Sequence, residues 1–368
     1  MNGHRVIELF ERWAKPTLAM EGDPIGLHIG TLNKEISRVL VTLDVTPAVI
    51  QEAIDNHCEL IIAHHPPIFR KLKAVDTSTP VGAMIEKCIK HDIAVYAAHT
   101  NLDIAAGGVN DMLAQALELE DIEILTETYS ERVMKLAVFI PETHADAMRQ
   151  ALAGAGAGEI GDYEHVSYSM KGQGRFRPAE GADPFIGEIG KLELVDEEKI
   201  EVVFPTSKKA RVVKAMLNAH PYEEVAYDIY TLDIEANEHG LGRIGRVHDM
   251  NLEQFASYVK QKLGVPFVRV TGDFSKSVTK IAVIGGDGNK YIYDAKRAGA
   301  DVLVTGDMYF HTAQDAETIG LSIVDPGHHV EAIMKQGTVD YMTELLKNEK
   351  KAPEFIASTI STEPFKLV

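Results

Sequence analysis

Short, wholly apolar runs alternate with amphipathic stretches at both ends of this chain. RVLVTLDV (38–45) is rich in β-branched residues, and Thr46-Pro47 then offers a helix cap followed by proline at the first helical position. TPAVIQEAIDNH (46–57) reads as a helix, CELIIAHHPP (58–67) as a strand, and PVGAMIEKCIKH (80–91) as a helix. IAVYAAHT (93–100) is the next strand and GGVNDMLAQALEL (107–119) the next helix. A run as apolar as LIIA implies burial on both faces, as in a parallel sheet covered by helices. The same grammar returns near the end. KIAVIGGDG (280–288), ADVLVTGD (300–307) and LSIVDPGHH (321–329) read as strands. They are separated by YIYDAKRAG (291–299) and TAQDAETIG (312–320), read as helices, and followed by the helix EAIMKQGTVDYMTELLKN (331–348). At the N-terminus Val6, Ile7, Leu9, Phe10 and Trp13 fall on one helical face.

The middle of the chain has another rhythm. KLAVFIPETHADAMRQALAG (135–154) is a strand and a helix, and residues 199–232 read strand, helix, strand. Two such mirrored pieces suggest an α+β domain of ferredoxin type. The expected organisation is one discontinuous α/β domain, residues 1–129 and 237–368, interrupted by an inserted domain at 130–236. Insertion at a surface loop is structurally tolerated.

Composition narrows the function classes. The 368 residues are 45 % hydrophobic, enough for more than one core, and the net charge of −18 disfavours a nucleic-acid surface, which draws on clustered Lys and Arg. Two cysteines, Cys58 and Cys88, make no disulfide framework and read as reduced thiols. No apolar run approaches the roughly 20 residues a membrane span needs, and the start of the chain is no signal peptide. The expectation is a cytoplasmic protein.

In α/β sheets, ligands bind beyond the carboxyl ends of the strands. Those ends carry His64 and His65 after LIIA, His99, Asn101 and Asp103 after AVYAA, Asp307 and His311 after VLVT, and Asp325, His328, His329 and Glu331 after LSIV. Four ends delivering imidazoles and carboxylates point to a metal centre. Side chains alternate along a strand, so His64 and His65 fit two neighbouring ions better than one, with Glu331 as the bridging carboxylate. Mixed nitrogen and oxygen donors suit zinc, with iron or manganese as alternatives, over calcium or magnesium. Spacing leaves His328 and His329 both open; His328 and Glu331 are one helical turn apart, which favours His328. His99 and His311 are candidates for orienting or acid–base roles, with Asp307 orienting one of them. His91, His144, His165, His239 and His248 lack a strand-end context and receive no site role. The turn GGDGNK (285–290) leaves packing and anion binding both open, and Asp44 reads as part of a helix cap.

LIIAHHP (60–66), AAHTNLD (97–103), VTGDMYFH (304–311) and DPGHHVE (325–331) together resemble the NIF-three-like family, whose bacterial members bear the name GTP cyclohydrolase I type 2 homologue. EGDPIGLHIG (21–30) resembles its N-terminal signature, with Pro24 where an asparagine is usual. GQGRFRP (172–178), FIGEIG (185–190) and AHPYEEVAYD (219–228) are similar to the insert of the long bacterial members. The resemblance implies a dinuclear site of His64, His65, Asp103, His328 and Glu331. One ion would be served by His64 and His328, the other by His65 and Asp103, with Glu331 between them. It also implies a PII/CutA-like insert and a toroidal homohexamer. The expected function is a metal-dependent hydrolase of a nucleotide-like ligand, with GTP ring hydrolysis the named candidate. The rivals are a phosphoester hydrolase and a non-catalytic metal-binding or regulatory protein that senses a small ligand.

Overall fold

The computed structural model describes residues 1–366, with residues 235–238 described by backbone alone. The chain divides into two units, residues 1–129 with 239–368, and residues 130–238. In chain order the strands are β1 (Gly26–Ile29), β2 (Arg38–Thr42), β3 (Leu60–Ala63), β4 (Ala94–Ala97), β5 (Glu120–Pro141), β6 (Tyr168–Phe176) and β7 (Glu193–Pro205). They continue with β8 (Tyr227–Asn251), β9 (Arg269–Thr271), β10 (Ser277–Asp287), β11 (Val302–Gly306), β12 (Ser322–Asp325) and β13 (Glu354–Ala357).

The larger unit holds two sheets. One has the order β1-β4-β3-β2-β13, and in the other β10, β11 and β12 lie side by side between β8 and β9. Strands β2, β3 and β4 run parallel in register, Leu40 beside Ile61 and Ile61 beside Val95. Their apolar runs are continuous because both faces are covered. Val39, Val41, Leu60, Ile62 and Tyr96 enter a core shared with the second sheet and the N-terminal helix Gly3–Trp13. Leu40, Ile61, Ala63 and Val95 enter another, against helices Pro47–Asp55 and Pro80–Lys90. The period of two sorts one strand into two cores. Strand β1, antiparallel to β4, and β13, parallel to β2, complete the first sheet; their short sequences carry no alternation long enough to announce them. The result is a mixed α/β fold.

Thr46 caps helix Pro47–Asp55, its hydroxyl accepting from the Val49 amide at 3.3 Å. Thr46→Ala is expected to cost about 1 kcal/mol in urea unfolding, the usual value for a lost N-cap.

In the smaller unit β6, β7 and β5 pair antiparallel, with β8 beside β5. Helices Ala145–Gly154 and Lys209–Ala219 follow β5 and β7. Leu136, Val138, Ile140, Ile200, Val202 and Phe204 pack with Met148, Leu152, Val212 and Met216 of these helices in a core of their own. No helix among the described residues is long and apolar enough to cross a membrane.

Candidate metal centre

The strand ends of the larger unit bring their imidazoles together. His64 and His65 follow β3 directly, and their rings lie 5.2 Å apart. The His99 ring, beyond β4, is 5.4 Å from that of His64 and 5.8 Å from that of His65. His328 opens a 3₁₀ turn, His328–Ala332, and its ring is 5.2 Å from that of His65. In a 3₁₀ turn residues three apart eclipse, so His328 and Glu331 meet, Nε2 to Oε2 at 3.1 Å. The same Glu331 oxygen lies 3.0 Å from His65 Nε2 and 3.8 Å from His64 Nε2. Asp103, from the short helix after β4, places Oδ1 3.4 Å from His64 Nε2.

Each ring is fixed from behind. His64 Nδ1 donates to the Ala98 carbonyl at 2.9 Å, His65 Nδ1 to Asp44 at 2.7 Å, His99 Nδ1 to Asp23 at 2.8 Å, and His328 Nδ1 to Asp307 at 2.7 Å. An Nδ1–H engaged this way leaves Nε2 to face an ion, the arrangement that metal-ligating histidines share. The buried atoms His64 Nε2 and Asp103 Oδ1 have no hydrogen-bond partner. Among the described residues, three groups bring donor atoms close enough to hold an ion: His64, Asp103 and Glu331; His65, His328 and Glu331; and His64, His65 and His99. Glu331 belongs to two of them, the position of a bridge. These donors fit a divalent transition metal.

Charge in the cluster is tightly coupled. Burial opposes charge on His65, but Asp44 and Glu331 outweigh it and push the ring up to about 10. Glu331 draws the His328 ring up to about 9 against the effect of burial. Burial works against ionisation of Glu331, yet three imidazoles hold it well below the usual carboxylate range. Burial and Glu331 push Asp103 the other way, up to about 6, with the neighbouring imidazoles opposing.

Several expectations change. The histidines partition differently from the division expected: His64 groups with Asp103, and His65 with His328. His65 turns its Nε2 toward Glu331 beside His328, while fully buried His64 faces Asp103. His311 does not join the cluster. It sits exposed in the first turn of helix Phe310–Thr318, against Phe310 and Gln314, because the chain turns outward after β11. Asp307 orients His328 rather than His99 or His311. His329 faces the C-terminal segment, its Nε2 accepting from the Thr362 amide. The GGDGNK glycines make close packing possible beside the cluster. A Cβ on Gly286, where φ is +62°, would lie 2.6 Å from Glu331 Oε1, and Gly285 donates its amide to Asn110.

Two supporting residues went unread. Asp23 accepts from His99 and Thr100, and Asp44, read as a cap, accepts from His65 and from the Thr362 hydroxyl. Thr46 is the actual cap, which frees Asp44 for the histidine. An aspartate two residues after a strand was the available signal for Asp44. Asp44→Ala is expected to lower metal affinity about 10- to 100-fold, the range for second-sphere partners, in a competition titration with a chromophoric chelator.

A family model described as Duf34/NIF3 (NGG1p interacting factor 3) matches residues 1–364. A Bacillus subtilis (strain 168) protein named GTP cyclohydrolase 1 type 2 homolog is 55 % identical over 366 residues, 99 % of this chain and 98 % of that one. One of the same name from Halalkalibacterium halodurans is 54 % identical over 368 residues, 100 % of this chain and 99 % of that one. The crystal structure of a Bacillus cereus protein related to NIF3 superposes with a TM-score of 0.94 at 53 % identity, covering 100 % of this chain and 99 % of that one.

Proposed function

Because the chain belongs to the Duf34/NIF3 family, we propose that its imidazole–carboxylate cluster is a dinuclear metal centre that hydrolyses a nucleotide-like substrate. The observation that carries this reading is the arrangement of His64, His65 and His328. Each donates its Nδ1–H outward and turns Nε2 toward one or both of the buried carboxylates Asp103 and Glu331. Zinc suits this donor set, and iron or manganese are the alternatives. Divalent ions in such a site supply Lewis acidity and lower the pKa of water toward neutrality.

The chain's own groups would do the rest. Glu331 is shared by the two halves of the cluster, His64 with Asp103 and His65 with His328. His99 has its Nδ1–H fixed on Asp23, which leaves Nε2 to accept and return a proton. Burial opposes charge on Asp23, but His99 and Thr100 hold its pKa below the ordinary value. A carboxylate there keeps the His99 ring in one orientation.

The smaller unit runs strand, helix, strand, strand, helix, strand. That order supports reading it as an inserted ferredoxin-like domain of PII/CutA type. The family resemblance adds an assembly expectation, six chains in a ring, which sedimentation velocity tests.

The deciding experiment is turnover of a nucleotide panel by metal-reconstituted protein, with formate and phosphate scored separately and Asp103→Ala alongside. Turnover lost in the variant supports a metal hydrolase. Formate then identifies ring hydrolysis of the kind the relatives' name suggests, and phosphate identifies ester cleavage. No turnover with two ions bound per chain would overturn the hydrolase reading in favour of a metal-binding regulatory protein.

A further inference from the structure

We propose that the smaller unit carries a binding site of its own for a guanine nucleotide, built on the open face of its sheet. Period-two alternation divides the sheet into two faces. Ile200 and Val202 of β7 and Leu136 and Val138 of β5 join the core with the helices. The intervening residues look the other way, with Met170 paired to Lys199, Gly172 to Glu197 and Gly174 to Val195. On that face lies a cavity of about 650 Å³, within the range of small-molecule sites.

Four aromatic rings lie among its lining, beside Lys171, Arg175 and Lys199, the last with its ammonium 6.0 Å from the centre of the Phe139 ring. Phe139, Phe176, Phe185 and Tyr222 line it, with the Phe176 and Tyr222 rings 5.8 Å apart and those of Phe185 and Tyr222 6.4 Å apart. The loop bearing Phe185 is closed on itself by the Gly190 amide to the Pro178 carbonyl at 2.8 Å, and is tied to Glu223 through the Asp183 amide at 2.9 Å. His220 holds Tyr222 in place. Its Nε2–H donates to the Phe139 carbonyl at 2.8 Å and its Nδ1 accepts from the Tyr222 amide at 3.0 Å. The two β6 glycines make the room. A Cβ on Gly174 would lie 2.3 Å from Glu197 Oε2, and one on Gly172 would project into open space.

Glu197 is the informative group. It lines the cavity yet is only 9 % exposed. It accepts from the Tyr222 hydroxyl at 3.2 Å, and among the described residues no cationic side chain lies within 4.0 Å of it. A buried carboxylate needs donors, and here a ligand can bring them. Arg177 lines the same cavity, and among the described residues it too has no acidic partner within 4.0 Å. A buried negative group, aromatic walls and an unpaired guanidinium call for a flat ring with paired N–H donors and an anionic arm. The N1–H and N2–H edge of guanine offers two parallel donors to one carboxylate. Adenine sets a ring acceptor beside its amino group, which Glu197 would repel. A simple organic cation would satisfy Glu197 and leave Arg177 unmatched.

The test is calorimetric titration of the full chain with GMP, AMP and inorganic phosphate. GMP is expected to bind once per chain, AMP at least about tenfold more weakly, and phosphate alone not measurably, since a charge-assisted hydrogen bond is worth about a decade or more. Glu197→Gln, nearly isosteric, should remove the preference for GMP over AMP, and Gly172→Leu should fill the cavity and abolish binding. Asp103→Ala should keep GMP binding, because the site does not depend on the metal cluster. Absence of GMP binding at millimolar concentration overturns the proposal. So does equal affinity for GMP and AMP, or binding that is lost in Asp103→Ala and kept in Glu197→Gln.

Discussion

Glu331→Gln is expected to weaken metal uptake by more than about 100-fold, beyond the 10- to 100-fold range of second-sphere partners. One oxygen of Glu331 lies 3.0 Å from His65 Nε2, 3.1 Å from His328 Nε2 and 3.8 Å from His64 Nε2. A neutral amide in its place can bridge no pair of ions, and its NH₂ would repel them. Mass-spectrometric metal analysis after dialysis should fall from the two ions per chain that the proposed dinuclear site would hold to none. Retention of both ions by the variant would remove Glu331 from the bridging role. A linked pH dependence follows from the imidazoles. In the metal-free cluster His65 is pushed up to about 10 and His328 to about 9, so metal must displace protons there. Affinity should therefore rise with pH up to about 10, where His65 has given up its proton, and uptake in weak buffer should release protons. The metal-free fold behaves oppositely. A histidine whose folded pKa is raised contributes stability that is full below the unfolded value and lost as pH rises through the folded one. Chelated protein should thus lose stability between about pH 6.5 and 10, as metal-loaded protein gains affinity.

Asp111→Ala is expected to destabilise the fold by about 3–5 kcal/mol, the cost of stranding one member of a buried ion pair. Arg243 is 5 % exposed. Its Nε and Nη2 reach the two Asp111 oxygens at 2.5 and 2.7 Å, and its Nη1 donates to the Gly240 and Gly242 carbonyls. Removing the carboxylate leaves the guanidinium buried with only neutral acceptors. The pair joins residues 132 apart in sequence, so it stitches together chain segments that flank the smaller unit. Urea unfolding measures the loss, and the double variant Asp111→Leu with Arg243→Met should recover most of it, since a buried pair can often be replaced by apolar groups. A loss below about 1 kcal/mol would mean that solvent screens the pair as it does at a surface.

The neighbour of Asp111 shows how the fold serves the cluster. Asn110 donates its side-chain amide to the Asp103 carbonyl and accepts from the Gly285 amide. One side chain thus ties a ligand-bearing helix from the first half of the larger unit to the glycine turn that makes room for Glu331 in the second. No local pattern around Asn110 announces this, because Gly285 lies 175 residues away in the chain.

What the sequence determined by itself was the set of strand ends and the residues they carry. Apolar runs as continuous as LIIA and VLVT can only be strands covered on both faces. The polar residues that end them must therefore lie at the sheet's ligand-bearing edge. His64, His65, Asp103, His328 and Glu331 were among the strand-end residues legible for that reason, as was the one-turn spacing of His328 and Glu331, while the family resemblance singled out these five as a set. Only the tertiary structure decided which residues meet. It sent His311 outward on the turn after β11 while His328 folded back. It grouped His64 with Asp103 and gave Asp307 to His328. It also recruited Asp23 and Asp44, to which the sequence assigned no site role, to hold imidazoles from behind. Those choices rest on contacts between segments far apart in the chain. Period and spacing fix which face of an element a residue occupies, but which other face it meets is settled by the packing of whole sheets and helices.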